Sequence, residues 1–164
     1  MKITVAFSKI RYGFFDRVIS WWTGSIYTHV ELIMPCGNWL GVRQGSPWMK
    51  RKPARRITAI EHDCFNYRQW DTLEFDVSEA QIKDIWDFFK KTQGARYDWI
   101  GVIFSHVFNI RIKSENKWYC SEWVAHALEK SGVIDWRKVP VFQMSSISPA
   151  RLYKICLGEQ NDRD

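Results

Sequence analysis

Cys120 heads an apolar, helically spaced segment, Trp118-Tyr119-Cys120-Ser121-Glu122-Trp123, which places a thiol where a helix begins. A helix N-terminus favours the thiolate, and its leading backbone N–H groups can hold a developing oxyanion. Magnitudes show that position alone is not enough. Bringing a thiol pKa from about 8.5 to about 5 takes roughly 4.8 kcal/mol at 1.36 per unit. A helix end supplies about 0.3–1 kcal/mol when exposed and about 2 when partly buried. An imidazolium beside the sulfur has to supply the rest. Of the four histidines, His29 is the best placed, because residues 26–33 read as a strand, a rigid mount. His106 lies in a very apolar segment and reads as a satisfied core histidine.

A third group should orient the imidazole and fix its tautomer. A hairpin turn centred on Cys36-Gly37 sets His29 opposite Gln44 and Glu31 opposite Val42. Gln44 is then one candidate, as the cross-strand neighbour. Glu31, two residues along the same strand face, is the other, and a carboxylate would stabilise an imidazolium more strongly. Tyr119, Trp118 and Trp22 flank the two candidate blocks and are the candidates for touching a substrate. Helical spacing assigns most of the ten tryptophans, Trp123 among them, to the core.

The elements that must position these groups follow from periodicity. Ile3, Val5 and Phe7 share one face of a first strand, and Tyr12 to Trp22 has helical spacing up to Gly24. Tyr27 to Met34 reads as a strand, Pro35 to Asn38 as a turn and Trp39 to Gln44 as the hairpin partner. Leu73, Phe75 and Val77 alternate with polar residues as a half-buried strand. Ser78-Glu79-Ala80-Gln81 is a capping box opening a helix with Ile82, Ile85, Trp86 and Phe89 on one face, ending at Gly94. Asp98 to Phe108 reads as a buried helix, Cys120 to Ser131 as a long one stopped by Gly132, and Ser148-Pro149 opens a short terminal helix. The reading is one α+β domain over residues 1–157, a small antiparallel sheet packed with helices, with 158–164 as a flexible polar tail.

Composition bounds the function. The 164 residues are 46% hydrophobic and 26% charged, ordinary for a globular chain and unlike a disordered one. Five bases and no acid between Lys50 and Arg56 (Lys50, Arg51, Lys52, Arg55, Arg56) account for nearly all of the net charge of +6. The excess therefore belongs to one Pro-containing loop, not to a nucleic-acid groove interleaved with aromatics. That loop is a candidate contact for an anionic partner, and nucleic acid is disfavoured. Cys36, Cys64, Cys120 and Cys156 form no Cys-x-x-Cys pair, and His62-Asp63-Cys64 has no second half, so neither a metal site nor a cofactor is expected. No apolar run reaches the length of a membrane span, and the start is too short for a secretory segment. The expectation is a cytoplasmic protein, with a phage origin as the alternative.

The residues Phe7-Ser8-Lys9, Ile19 to Ile33 with its Thr23-Gly24-Ser25-Ile26-Tyr27-Thr28-His29-Val30 core, Tyr97-Asp98-Trp99 and Trp118 to Glu122 together resemble the circularly permuted NlpC-like cysteine hydrolases. Within these, the chain looks most like the YiiX-type branch of the papain-like superfamily, which also holds lecithin retinol acyltransferase relatives. The resemblance covers about Ile3 to Ser131. It implies a permuted papain-like fold, Cys120 as nucleophile, His29 as general base and a polar third residue on the next strand. Relatives often carry His, Glu or Asn about a dozen residues after the histidine, where this chain has Gly41. Gln44 or Glu31 must then serve, or the pair works as a dyad. The implied activity is thiol hydrolysis of an amide or ester bond, on a peptide, a peptidoglycan-derived amide or an acyl lipid. The last includes acyl transfer. The alternative is an inactive papain-like module that docks an anionic partner through the basic loop.

Overall fold

A computed structural model of the chain describes residues 1–9, 17, 20, 25–42, 56–57, 69–97, 117–138 and 147–161. Strand β1 (Lys2–Ser8) alternates as its sequence requires, with Ile3, Val5 and Phe7 fully buried on one face. It pairs antiparallel with β2 (His29–Ile33) on one side and with β5 (Trp70–Asp76) on the other. β3 (Trp39–Gly41) flanks β2, and β4 (Arg56–Ile57) closes the far edge, giving the order β4-β3-β2-β1-β5. Three helices are described: α1 (Glu79–Thr92), α2 (Cys120–Lys130) and α3 (Pro149–Asn161). A short parallel pair, β6 (Arg96–Tyr97) and β7 (Lys117–Trp118), leads the chain into α2. The mixed reading, a small antiparallel sheet packed with helices, holds.

One sheet face builds the main core. Val5, Phe7, Val30, Leu32, Leu40, Leu73 and Phe75 from the strands cluster with Ile85, Phe89, Trp123, Leu128 and Leu152 from the helices. Each fully buried side chain of this size contributes about 1.5–3 kcal/mol, more than any helix propensity on offer. The other face carries a smaller cluster of Ala6, Trp39 and Trp70, with Ile33 against it. The α1 capping box forms as expected: Ser78 Oγ accepts from the Gln81 backbone N–H at 3.2 Å, while the Ser78 N–H donates to Gln81 Oε1 at 2.9 Å.

Two expectations are corrected. The β2–β3 hairpin pairs Leu32 with Leu40 and Ile33 with Trp39, one residue away from the register that put Val42 opposite Glu31. The turn explains the slip. Gly37 N–H donates to the Met34 carbonyl at 2.8 Å and Met34 N–H to the Asn38 carbonyl at 2.8 Å. Pro35-Cys36-Gly37 is therefore a three-residue loop with Gly37 at φ +83°, rather than a two-residue turn on Cys36-Gly37. A one-residue slip exchanges the faces of a strand, and Val42 accordingly lies in the main core. The second correction is at the C-terminus, where α3 continues through Gly158 to Asn161 with Glu159 buried, past the start of the expected tail.

Other expectations lie outside the described residues: the 98–108 helix with His106, the His62-Asp63-Cys64 cluster, Gln44, Trp22, and the basic loop apart from the Arg56 backbone in β4. Of the Tyr12 to Trp22 helix, Arg17 and Ser20 are described, and both are helical. Among the described residues no helix is long and apolar enough to cross a membrane.

Because Gly37 holds a left-handed conformation that costs other L-residues about 1–2 kcal/mol, Gly37→Ala is expected to lower the unfolding free energy by about that amount. Gly37→Asn should lose less, since Asn tolerates this region. Urea unfolding followed by tryptophan fluorescence checks both.

Candidate functional site

Helix α2 presents Cys120 at its first position, and nearly everything behind that cysteine is fixed. Trp123, Val124, Ala125, Ala127 and Leu128 are fully buried. The Trp123 indole stacks near Phe88 at 5.6 Å and Phe89 at 6.2 Å, and its Nε1–H donates to Thr92 Oγ1 at 2.9 Å, tying α2 to α1. Ser121 Oγ–H, also buried, donates to the Ile147 carbonyl at 2.7 Å just before α3 begins. The N-cap residue is Tyr119, which supplies no capping hydrogen bond from its side chain, unlike Ser78 at α1. Cys120 itself is 4% exposed.

His29 opens β2, and the residues before it act as anchors. Tyr27 Oη–H donates to Asp71 Oδ2 at 2.6 Å, and Lys9 Nζ donates to Asp71 Oδ1 at 2.6 Å. Burial works against the Asp71 carboxylate, but hydrogen bonds from Lys9 and Tyr27 outweigh it and hold its pKa below the usual range. Burial and the same carboxylate push the Tyr27 phenol up. Thr28 N–H donates to the Ser8 carbonyl at 2.9 Å. The Tyr27-Thr28-His29 block thus clamps the start of β2 to β1 and β5.

The imidazole meets two partners. His29 Nε2 lies 3.0 Å from Glu31 Oε1, and a carboxylate only accepts, so Nε2 carries the hydrogen and donates it. Cys120 is the second group that acts on the ring, by charge and by hydrogen bonding. Burial is the largest single influence on the ring and disfavours its charge. The charge and hydrogen bond of Cys120, followed by those of Glu31, outweigh it and raise His29 to about 10. The imidazole is 26% exposed and the Glu31 side chain 3%, so a buried carboxylate backs a ring that solvent or a substrate can still reach.

The strand register makes this grouping geometric. Ser8 faces His29 on β2 and Trp70 on β5, so His29, Ser8 and Trp70 form one row across three strands. The His29 and Trp70 rings meet edge to face at 6.4 Å, with Trp39 5.3 Å beyond Trp70. In the next row on that face, Ala6 stands opposite Glu31, and Gly41 lies against Glu31 from the other side.

Of the residues read from sequence, the structure brings Cys120, His29 and Glu31 together. Gln44 is outside the described residues, and the hairpin register that placed it across from His29 does not hold. Trp118 is half-buried against Phe88 at 5.7 Å and His126 at 5.1 Å, and Tyr119 is buried at the head of α2. Trp70 and Gly41 were not read as site residues. Trp70 needed the β1–β5 register, and Gly41 needed the correct hairpin offset. Among the described residues no group of histidine, cysteine and acid side chains is arranged to hold a metal ion. Comparison with protein-family models and with curated proteins finds no match to this chain.

The charge balance around His29 predicts that its ring stays protonated through neutral pH. An NMR titration of the His29 Cε1–H signal should show a midpoint well above the ordinary 6.5. Glu31→Gln and Cys120→Ala should each move it down, because each removes a group that favours the imidazolium.

Proposed function

We propose that the chain is a thiol hydrolase of the permuted papain-like kind, in which Cys120 attacks an amide or ester carbonyl, His29 moves the protons and Glu31 orients His29. The observation that carries this reading is an imidazole held between a thiol at a helix N-terminus and a buried carboxylate. That is the order a nucleophile, its base and an orienting group need. The chain order, with His29 ahead of Cys120, is the one a permuted arrangement requires.

The cycle closes on groups the site holds. The proton that Cys120 and His29 share rests on the imidazole, and the sulfur adds to the substrate carbonyl. The developing oxyanion lies at the start of α2, where the Cys120 backbone N–H can donate to it. As the tetrahedral species collapses, the imidazolium returns its proton to the departing amine or alcohol, leaving a thioester on Cys120. Water then gives a proton to His29 and adds to the thioester, and cleavage of the carbon–sulfur bond releases an acid and returns the sulfur to its resting place beside the protonated ring. Peptide amides, peptidoglycan-derived amides and acyl lipids all present the carbonyl this chemistry needs. Glu31 supports the reading over a bare dyad, because a carboxylate on Nε2 orients the ring.

Iodoacetamide alkylation of Cys120, followed by mass spectrometry across pH, tests the proposal. Rapid alkylation at pH 6 is expected, slowed in His29→Ala by the order of 10²–10⁴ that a positioned base contributes. A thiol that reacts only above pH 8, equally in both proteins, would reject the hydrolase and leave the inert binding scaffold.

A further inference from the structure

A glycine in a paired strand needs a reason, since it packs nothing and loosens the chain. Gly41 ends β3 and is buried. Among the described residues the positive-φ glycines are Gly37, Gly94 and Gly132, so backbone conformation does not require glycine at 41. Space does. A Cβ there would stand 3.0 Å from Glu31 Cγ, 3.5 Å from its Cβ and 3.6 Å from its Cδ. Carbon atoms at van der Waals contact are about 3.5–4.0 Å apart. The three nearest atoms thus all belong to the one side chain that holds His29. The contact is with the stem of Glu31, not the tip of a flexible chain, so relief moves the stem by a few tenths of an ångström and carries the carboxylate with it.

The other flank has the same character. Ala6 is directly opposite Glu31 on β1 and fully buried. A glutamate between two large neighbours would have to stand off the sheet. Between Gly41 and Ala6 it can lie along β2 and reach back two residues to Nε2 of His29.

We infer that Gly41 is a positioning residue, kept without a side chain so that Glu31 can fold along its own strand and orient His29 from there. The proposal deepens the hydrolase reading by explaining how the third group can come from the strand of the histidine itself.

The test reads the His29 ring, not turnover. Among the described residues, the groups that face this ring are Glu31 from β2, Cys120 from α2 and the Trp70 indole from β5. In Gly41→Ala the NMR midpoint of His29 should fall from about 10 toward 6.5, in the same direction as in Glu31→Gln. The two substitutions combined should shift it no further than Glu31→Gln alone, because both act through one carboxylate. In a Glu31→Ala background, which lacks the Cγ the new methyl would meet, Gly41→Ala should leave the midpoint unchanged and should not lower the thermal unfolding temperature. If Gly41→Ala fails to fold, the double variant with Glu31→Ala should fold, and its failure would overturn the inference. A wild-type midpoint in Gly41→Ala, or shifts that add to those of Glu31→Gln, would overturn it as well. The outcome is separable from that of the alkylation. A Cys120 that is inert at pH 6, with a His29 midpoint that responds to Gly41→Ala, removes the hydrolase and keeps the positioning role. A reactive Cys120 with an unresponsive midpoint does the reverse.

Discussion

A carboxylate withdrawn from water must be repaid in hydrogen bonds and opposite charge, or it does not stay ionised. Glu31 meets that condition through His29, and His29 meets its own desolvation through Glu31 on one side and Cys120 on the other. The three groups are mutually dependent. Removing His29 takes a charge partner from both of the others, and removing either of those leaves the ring with one in place of two. The rest of the described structure serves to keep them within reach of each other.

Two kinds of rigidity do this. Helix α2 is held from behind by the packing of Trp123 between α1 aromatics and by the buried hydrogen bond of Ser121 to the segment before α3. Strand β2 is held by its pairing with β1 and by the Tyr27–Asp71–Lys9 network at its entrance. The helix starts and the strand starts at the same place, and chemistry can only occur where both ends meet. The sheet uses its two faces differently: one is the apolar core under the helices, and the other carries the acid, the imidazole and the Trp39–Trp70 pair.

Much of this was legible beforehand, for identifiable reasons. The capping box at Ser78 and Gln81, the alternation of β1 and β5, and the apolar face of α2 are local patterns whose periods survive any tertiary arrangement. Cys120 at a helix start and His29 on a strand could be read in the same way. The third residue could not, because two candidates depended on the offset of one hairpin. Pro35-Cys36-Gly37 can close as a two- or a three-residue loop, and the choice moves every cross-strand neighbour by one.

The sequence by itself determined which chemistry is on offer and which elements carry it: a thiol leading a helix, an imidazole on a strand, and an acid two residues beyond on the same face. Those are properties of residue type and short-range period. Tertiary structure alone decided that the thiol and the imidazole meet across 91 residues of chain, and that Glu31 backs the ring. Contacts of that range depend on how helix packs on sheet and on a register set by a single left-handed glycine. They also depend on a second glycine whose missing side chain leaves the room the acid occupies.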